Sequence, residues 1–233
     1  MSKRRFQSDS HEFTERDVLE LAKQAYEKNP VFDVKQVRCA LLVIDMQDEF
    51  VKPHWTPFWV PEATRQVPRI KRLLEFCRNK GIPAIFTVFA KTHNYFDRPL
   101  AGKFMSNRYG ELGSKDPSWF KDGNIWHEIA PLDEEIVIQK PSYGAFYDTP
   151  LETILKNLDK DTVIICGTLT NFCCGTTARQ AYERGFKVVI GSDVTSTDDP
   201  TLHEAELKTL RKGFAMVLSA DEIMERLSAV PST

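Results

Sequence analysis

The chain has 233 residues, with 31 Lys and Arg against 33 Asp and Glu and a hydrophobic fraction of 42%, which suits one sizeable domain with a full core. The near-neutral charge offers no basic surface to nucleic acid or to an anionic membrane, and no apolar run is long enough for a membrane span or a secretory signal. Five cysteines without metal-type spacing suggest reduced thiols in a cytosol-like compartment, so a cytoplasmic location is expected.

Six apolar runs alternate with amphipathic, helix-like stretches along the chain. One domain is predicted over residues 11–230, after a polar and disordered stretch at residues 1–10, and it should begin with a helix over residues 11–28. Strands are predicted at 39–45, 83–89, 135–140, 162–166, 186–190 and 214–218, and later helices at 62–80, 148–158, 173–184, 201–212 and 220–227. The alternation predicts an α/β fold, a three-layer α-β-α sandwich around a mostly parallel sheet of about six strands.

Two predicted loops are rich in aromatic residues. The first, residues 46–61, carries Trp55, Phe58 and Trp59, and the second is the irregular stretch of residues 90–134. A long irregular segment in a compact domain is usually functional or disordered, and the aromatic content argues against disorder. We expect these loops to cover a pocket, although packing in a local core is the commoner role of such residues.

Residues 161–193 have the pattern of one βαβ unit, in which a strand leads through a turn into a helix and a second strand. Thr170 or Asn171 is expected to cap that helix. Cys173 then lies on its first turn, where unpaired N–H groups and the helix dipole favour the thiolate. Cys174, one step further round, is interpreted as a small buried residue, and the same reading of Cys173 is the alternative to a reactive thiol.

Reactive groups follow three of the predicted strands: Asp45, Lys140 and Cys173. In open α/β sheets, sites form outside the carboxyl ends of the strands, so an acid, a base and a thiol can meet there. A carboxylate beside a thiol can take its proton and later pass it to a leaving amine. A nearby lysine would keep the carboxylate ionised and favour the thiolate. Each residue alone is more often a solvated boundary residue, but three at equivalent strand ends argue for one site.

Three motifs carry a resemblance to a known family. VIDMQDEF with Asp45, KPSYGAF with Lys140 and GTLTNFCCGTTARQAYERGFKVV with Cys173 resemble the signatures of the isochorismatase-like cysteine hydrolase superfamily, over about residues 39–218. The resemblance implies an Asp-Lys-Cys triad that hydrolyses a C–N amide or ureido bond through a thioester. Cys173 would be the nucleophile, Asp45 the general base and acid, and Lys140 the electrostatic partner of both.

The resemblance also implies a cis peptide bond between two residues other than proline, Thr168 and Leu169. Its role would be to aim the backbone N–H groups of Leu169 and Cys173 into one oxyanion hole.

Departures from the family pattern narrow the expected chemistry. Isochorismatases of this superfamily cleave a vinyl ether and can lack the cysteine, so Cys173 favours amide chemistry. Nicotinamidases carry an Asp and His cluster that binds a metal, whereas the matching interval here offers His54 and His93 without an Asp-x-His pair. We therefore predict no metal and no cofactor. Vinyl ether hydrolysis and a non-catalytic binding relative remain alternatives.

The expected substrate is a small amide, carbamoyl or ureido molecule. The stretch KPSYGAFYDTPLE is similar to the amidohydrolase branch, which includes ureidoacrylate and N-carbamoylsarcosine amidohydrolases. Gln47, Tyr143 and Phe146 are predicted to line the pocket. A substrate carboxylate could meet one of three cations in the second aromatic loop: Arg98, Lys103 or Arg108.

Members of the superfamily are commonly dimers or tetramers, so a homo-oligomer is expected. The helix predicted at residues 11–28 is a plausible part of its interface.

Overall fold

The computed structural model describes residues 13–104 and 118–229, and the side chains of Lys103 and Phe104 are outside that description. The predicted disorder at residues 1–10 and the candidate Arg108 lie outside the described residues. Within the described ranges, no helix combines the length and the apolar character of a membrane-spanning segment.

The described residues form one six-stranded, all-parallel sheet with helices on both faces, which confirms the predicted three-layer α/β fold. The strands are β1 (Cys39–Ile44), β2 (Ala84–Phe89), β3 (Ile136–Lys140), β4 (Thr162–Thr168), β5 (Lys187–Ser196) and β6 (Met216–Leu218). The α-helices are α1 (Glu15–Glu27), α2 (Asp48–Val51), α3 (Pro61–Asn79), α4 (Leu151–Asn157), α5 (Gly175–Glu183), α6 (Pro200–Gly213) and α7 (Ala220–Ser228).

Strand β1 shows how the sheet separates two hydrophobic cores. Every residue of this strand is buried, and successive side chains point to opposite faces. Leu41 and Val43 belong to the core under α3 and α7, whereas Leu42 and Ile44 belong to the core under α4, α5 and α6. A strand buried on both faces needs a continuous apolar sequence, which is why CALLVI could be predicted.

The strand order is β3-β2-β1-β4-β5-β6. The chain therefore winds outward from β1 in one direction, returns to the centre at β4, and winds outward in the other direction. The carboxyl ends of β1 and β4 flank the point where the winding reverses, and open α/β sheets bind ligands at that point.

The sequence-based bounds of β4 and β5 were too short. Strand β4 continues through Gly167 to Thr168 and β5 continues to Ser196, because the two strands resume pairing after an irregularity, with Gly167 opposite Thr195 and Thr168 opposite Ser196. Gly167 has φ +120°, and an added Cβ would lie 2.0 Å from the carbonyl oxygen of Ile44. Only glycine permits this conformation at such close approach, so the residue that suggested a strand end lies inside the strand.

The predicted start of the helix after β4 was also wrong. A π turn, Thr170–Cys174, comes first, and α5 begins only at Gly175. Thr170 and Asn171 do not cap it, because the Thr170 hydroxyl bonds to His203 and the side-chain amide oxygen of Asn171 accepts from the Thr197 hydroxyl. Both side chains that the local sequence would assign to capping thus form hydrogen bonds with residues distant in the chain.

The aromatic loops pack together in the structure. Their backbones are joined where the Trp126 N–H donates to the Met46 carbonyl and the Asp48 N–H donates to the Asn124 carbonyl. The ring centroids of Phe120 and Phe58 are 5.2 Å apart. Phe120 belongs to the core under α3, and Phe58 is partly buried and packs against that core. The local-core alternative therefore describes these two aromatic residues.

Helix α1 has no buried residue, and Val18, Leu19 and Leu21 are exposed. Its C-terminal end is anchored to α6, where the Arg211 guanidinium donates to the Tyr26 carbonyl. The predicted role of this helix in an oligomer interface stays a prediction.

Candidate active site

The side chains of Asp45, Lys140 and Cys173 meet at the carboxyl edge of the sheet. The Lys140 Nζ lies 2.7 Å from Asp45 Oδ2 and 3.4 Å from Cys173 Sγ. Asp45 and Lys140 are fully buried and Cys173 is 3% exposed. The structure therefore brings together an acid, a cation and a thiol from distant parts of the chain. Lys140 comes 95 residues after Asp45, and Cys173 comes 33 residues after Lys140.

Asp45 is held by the strand next to it. It directly follows β1 in a left-handed conformation, φ +48°, and its N–H donates to the Thr87 carbonyl. The Thr87 hydroxyl donates to Asp45 Oδ1 at 2.7 Å, so the second carboxylate oxygen is left to face Lys140. Thr87 was missed by the sequence analysis. The available signal was a single polar residue in the apolar run AIFTVF, level with the end of β1.

Lys140 ends β3, and its ammonium has three neighbours. Besides Asp45 and Cys173, it donates to the Ser142 carbonyl at 2.8 Å. It also lies 5.3 Å from the centre of the Phe89 ring. Burial by itself lowers the pKa of the ammonium, but the carboxylate of Asp45 and the sulfur of Cys173 outweigh it, so the pKa ends above its usual value. Lys140 is therefore a permanent cation of the site.

The thiol of Cys173 is governed first by its burial. Burial raises its pKa to about 12, Lys140 lowers it, and Asp45 raises it again. Desolvation of the sulfur outweighs the help from Lys140, and the expected contribution of the helix start to the thiolate stays a prediction. At neutral pH the sulfur is a protonated thiol with a carboxylate beside it.

The backbone after β4 has an unusual course. The peptide bond between Thr168 and Leu169 is cis, at the position that the resemblance implies. The Leu169 carbonyl accepts the N–H groups of Phe172 and Cys174, which closes the turn that carries Cys173. The oxyanion hole formed by the N–H groups of Leu169 and Cys173 stays a prediction.

Gln47 is buried and serves the protein's own backbone. Its amide donates to Glu49 Oε2 at 2.8 Å and to the Phe89 carbonyl at 3.1 Å, and it accepts the Phe89 N–H at 2.8 Å. Both N–H groups of the amide are thus occupied within the protein. This argues against the predicted substrate contact. Instead, the Gln47 side chain links the segment after β1 to the backbone at the end of β2.

The two aromatic candidates after Lys140 separate in the structure. Phe146 packs against Phe186 and under the guanidinium of Arg184, within the core below α5. Phe146 is thus a buried core residue, and its predicted place in the pocket wall stays a prediction. The Tyr143 ring lies 5.4 Å from that of Phe172, in the turn that carries the thiol, and its substrate role stays a prediction.

Of the three candidate cations for a substrate carboxylate, Arg98 is the one whose side chain the structure describes. Its guanidinium lies 4.5 Å from the centre of the Phe89 ring and 4.0 Å from that of Tyr95. Because Lys140 also lies over Phe89, this loop places a second cationic group close to the site. Its predicted contact with a substrate carboxylate stays a prediction.

The histidines between the first two motifs are scattered. His54 packs on Trp59, the exposed His93 pairs with Asp97, and His127 packs on Trp126. Among residues 13–104 and 118–229, no three His, Cys, Asp or Glu side chains are grouped as metal ligands.

Comparisons with known proteins show the family of this chain. A family model described as the isochorismatase domain matches residues 39–222. Nicotinamidase 3 of Arabidopsis thaliana is 31% identical over 81% of this chain and 88% of its own length. N-carbamoylsarcosine amidase of an Arthrobacter species is 29% identical over 83% and 73%. The crystal structure of a cysteine hydrolase from Pseudomonas syringae pv. phaseolicola 1448A aligns with a TM-score of 0.75 at 27% identity, over 86% of this chain and 97% of that one.

The chain therefore belongs to the isochorismatase family of hydrolases, and the resemblance predicted from its three motifs is confirmed.

Proposed function

We propose that this protein is a cysteine amidohydrolase that cleaves a C–N bond of a small amide, carbamoyl or ureido compound without a metal. The observation that carries the proposal is the position of Lys140 Nζ, between Asp45 Oδ2 and Cys173 Sγ. These three side chains supply a base, a cation and a nucleophile in one buried site, which is sufficient for acyl transfer to sulfur.

In the proposed mechanism, Asp45 is the proton carrier. Because Cys173 rests as a thiol, its proton moves to the Asp45 carboxylate as Sγ attacks the substrate carbonyl carbon. The carbonyl oxygen becomes an oxyanion, which the N–H groups of Leu169 and Cys173 would stabilise. Protonated Asp45 then gives its proton to the leaving nitrogen, and the C–N bond breaks to leave a thioester. Asp45 next takes a proton from water, whose oxygen displaces Sγ, and returns it to the sulfur.

Lys140 has an electrostatic role in this scheme. Its positive charge keeps Asp45 ionised before the attack and stabilises sulfur as negative charge develops there. The ammonium donates a hydrogen bond to the Ser142 carbonyl, which fixes its direction.

The names of two relatives support a C–N bond as the target. They are amidases, one named for nicotinamide and the other for N-carbamoylsarcosine. A ureido or carbamoyl group is the substrate we favour, since it offers the same carbonyl to Cys173 and an amine or ammonia as leaving group.

Ammonia release from a panel of small amides tests the proposal. The panel contains nicotinamide, maleamate, biuret, N-carbamoyl amino acids and ureidoacrylate, each with and without a chelator, and Cys173→Ala and Asp45→Asn are assayed beside the unaltered protein. We expect chelator-resistant release that both substitutions abolish. Pyruvate formed from isochorismate, if it survives Cys173→Ala but not Asp45→Asn, would overturn the proposal in favour of vinyl ether hydrolysis.

A further inference from the structure

The turn that carries Cys173 is tied to helix α6 by a histidine. The Thr170 Oγ1 lies 2.9 Å from His203 Nδ1, and His203 Nε2 lies 3.1 Å from the Ser192 carbonyl oxygen. Thr170 is the first residue of the π turn and is fully buried. His203 therefore connects the nucleophile's turn to the irregular part of β5.

The two contacts determine which tautomer a neutral imidazole must adopt here. A carbonyl oxygen can only accept, so Nε2 of His203 carries the hydrogen that is donated to Ser192. In the neutral ring, Nδ1 then presents a lone pair and accepts the hydroxyl of Thr170. The Ser192 carbonyl thus selects the tautomer that can hold Thr170.

A second contact from the same face of α6 lies at the other end of the turn. Glu206 is three residues after His203, so the two side chains project in similar directions. Its carboxylate forms a two-point ion pair with Arg179 of α5. It also lies against Gly175, where an added Cβ would be 2.0 Å from Glu206 Oε1. Helix α6 therefore contacts both ends of the turn, through Thr170 at the start and through Gly175 directly after the end.

We propose that His203 is a positioning residue for the nucleophile. Its neutral ring, oriented by Ser192, holds the Thr170 hydroxyl and thereby the turn that aims Cys173 Sγ at Lys140. This inference rests on the proposed function, in which Cys173 is the nucleophile. A shift of a reacting group by about 1 Å can lower the reaction rate about a hundredfold. A contact that fixes this turn should therefore affect the rate of the chemical step.

Two pairs of substitutions separate the hydrogen bond from packing. Thr170→Val removes the hydroxyl at nearly constant shape, and Thr170→Ser restores it. His203→Gln keeps a donor for Ser192 but loses the acceptor for Thr170, whereas His203→Asn keeps an acceptor near the position of Nδ1. The control is Arg211→Ala, which loosens the far end of α6 from Tyr26 and touches neither the turn nor the site.

The first readout is the rate at which iodoacetamide alkylates Cys173, followed by peptide mass mapping, which needs no substrate. The second is kcat and KM for the best amide of the panel. For Thr170→Val and His203→Gln we expect roughly tenfold losses in alkylation rate and in kcat with little change in KM. Thr170→Ser and His203→Asn should recover most of both losses, and Arg211→Ala should lower only the melting temperature.

The possible failures are distinguishable. Alkylation and kcat at the unaltered level in both Thr170→Val and His203→Gln would overturn the positioning role, even if Cys173→Ala abolishes activity. Equal losses in Arg211→Ala and His203→Gln at matched melting temperatures would also overturn it, because the effect would then be one of general stability. Full activity in Cys173→Ala would instead reject the proposed function.

Discussion

The ammonium of Lys140 and the carboxylate of Asp45 form an ion pair with no solvent exposure on either side chain, 2.7 Å from Nζ to Oδ2. Removing two charges from water costs free energy that a single ion pair often does not repay. Such a pair is weak evidence for stability. In this protein the ion pair lies against the Cys173 thiol, close to the point where the winding of the sheet reverses. This location argues that the two charges serve the chemistry of the site.

Replacing Lys140 by methionine should be costly to both folding and activity. The Asp45 carboxylate would remain buried without its counter-ion, and breaking a buried pair in this way costs about 3–5 kcal/mol. Urea unfolding should show this loss, while the double variant Lys140→Met, Asp45→Asn should recover part of it without recovering activity. A single variant as stable as the unaltered protein would show that Asp45 becomes neutral at little cost.

The reactivity of Cys173 should rise with pH across the whole neutral and mildly alkaline range. Alkylation needs the thiolate, and because burial raises the pKa of this thiol, the thiolate fraction should increase about tenfold per pH unit below that pKa. Iodoacetamide labelling at a series of pH values, resolved by peptide mapping, measures this directly. A rate that levels off below about pH 8 would show a preformed thiolate and contradict the burial argument.

Thr87→Val should weaken the site without dismantling it. The substitution removes the hydroxyl that donates to Asp45 Oδ1, and a hydrogen bond to a charged group contributes about 1.5–3 kcal/mol. We expect a lower kcat and a comparable loss of unfolding free energy, measured by turnover of the best amide and by urea denaturation. Thr87→Ser should restore both. An unchanged kcat in Thr87→Val would show that the Thr87 hydroxyl does not contribute to catalysis and that the residue serves only in packing.

Gly167→Ala should be strongly destabilising. The added Cβ would overlap the Ile44 carbonyl, and the residue would have to adopt φ +120°, so we expect a loss of about 3 kcal/mol or more. Gly185→Ala is the matched control, because Gly185 has φ +84° but nothing within 4 Å of an added Cβ. It should cost only about 1–2 kcal/mol. Equal melting temperatures for the two variants would show that β4 relaxes around position 167.

Several features of this protein follow from local sequence. A strand buried on both faces must be apolar throughout, so β1 and β2 could be located from CALLVI and AIFTVF to within one residue. Asp45 and Lys140 could be placed at one sheet edge because parallel strands all end there. The turn predicted after β4 placed Cys173 at the same edge, and the family motifs then gave the three residues their expected roles.

Other features depended on contacts that local sequence does not contain. Gln47 and Phe146 follow their strands as pocket residues would, but the first bonds to Phe89 and the second packs against Phe186. The raised pKa of the Cys173 thiol also depends on tertiary structure, since burial of the sulfur outweighs the effect of Lys140.

By itself, the sequence determined the alternation of strands and helices, the fold class and the residue types at the strand ends, because burial periodicity and turn chemistry are local properties. Only the tertiary structure decided which of those polar groups face each other, which are used up by the backbone, and how far each is from water. Thr87, Ser142 and His203 became visible only there. Hydrogen bonds and desolvation depend on distances between segments far apart in the chain, and those distances exist only once the chain has folded.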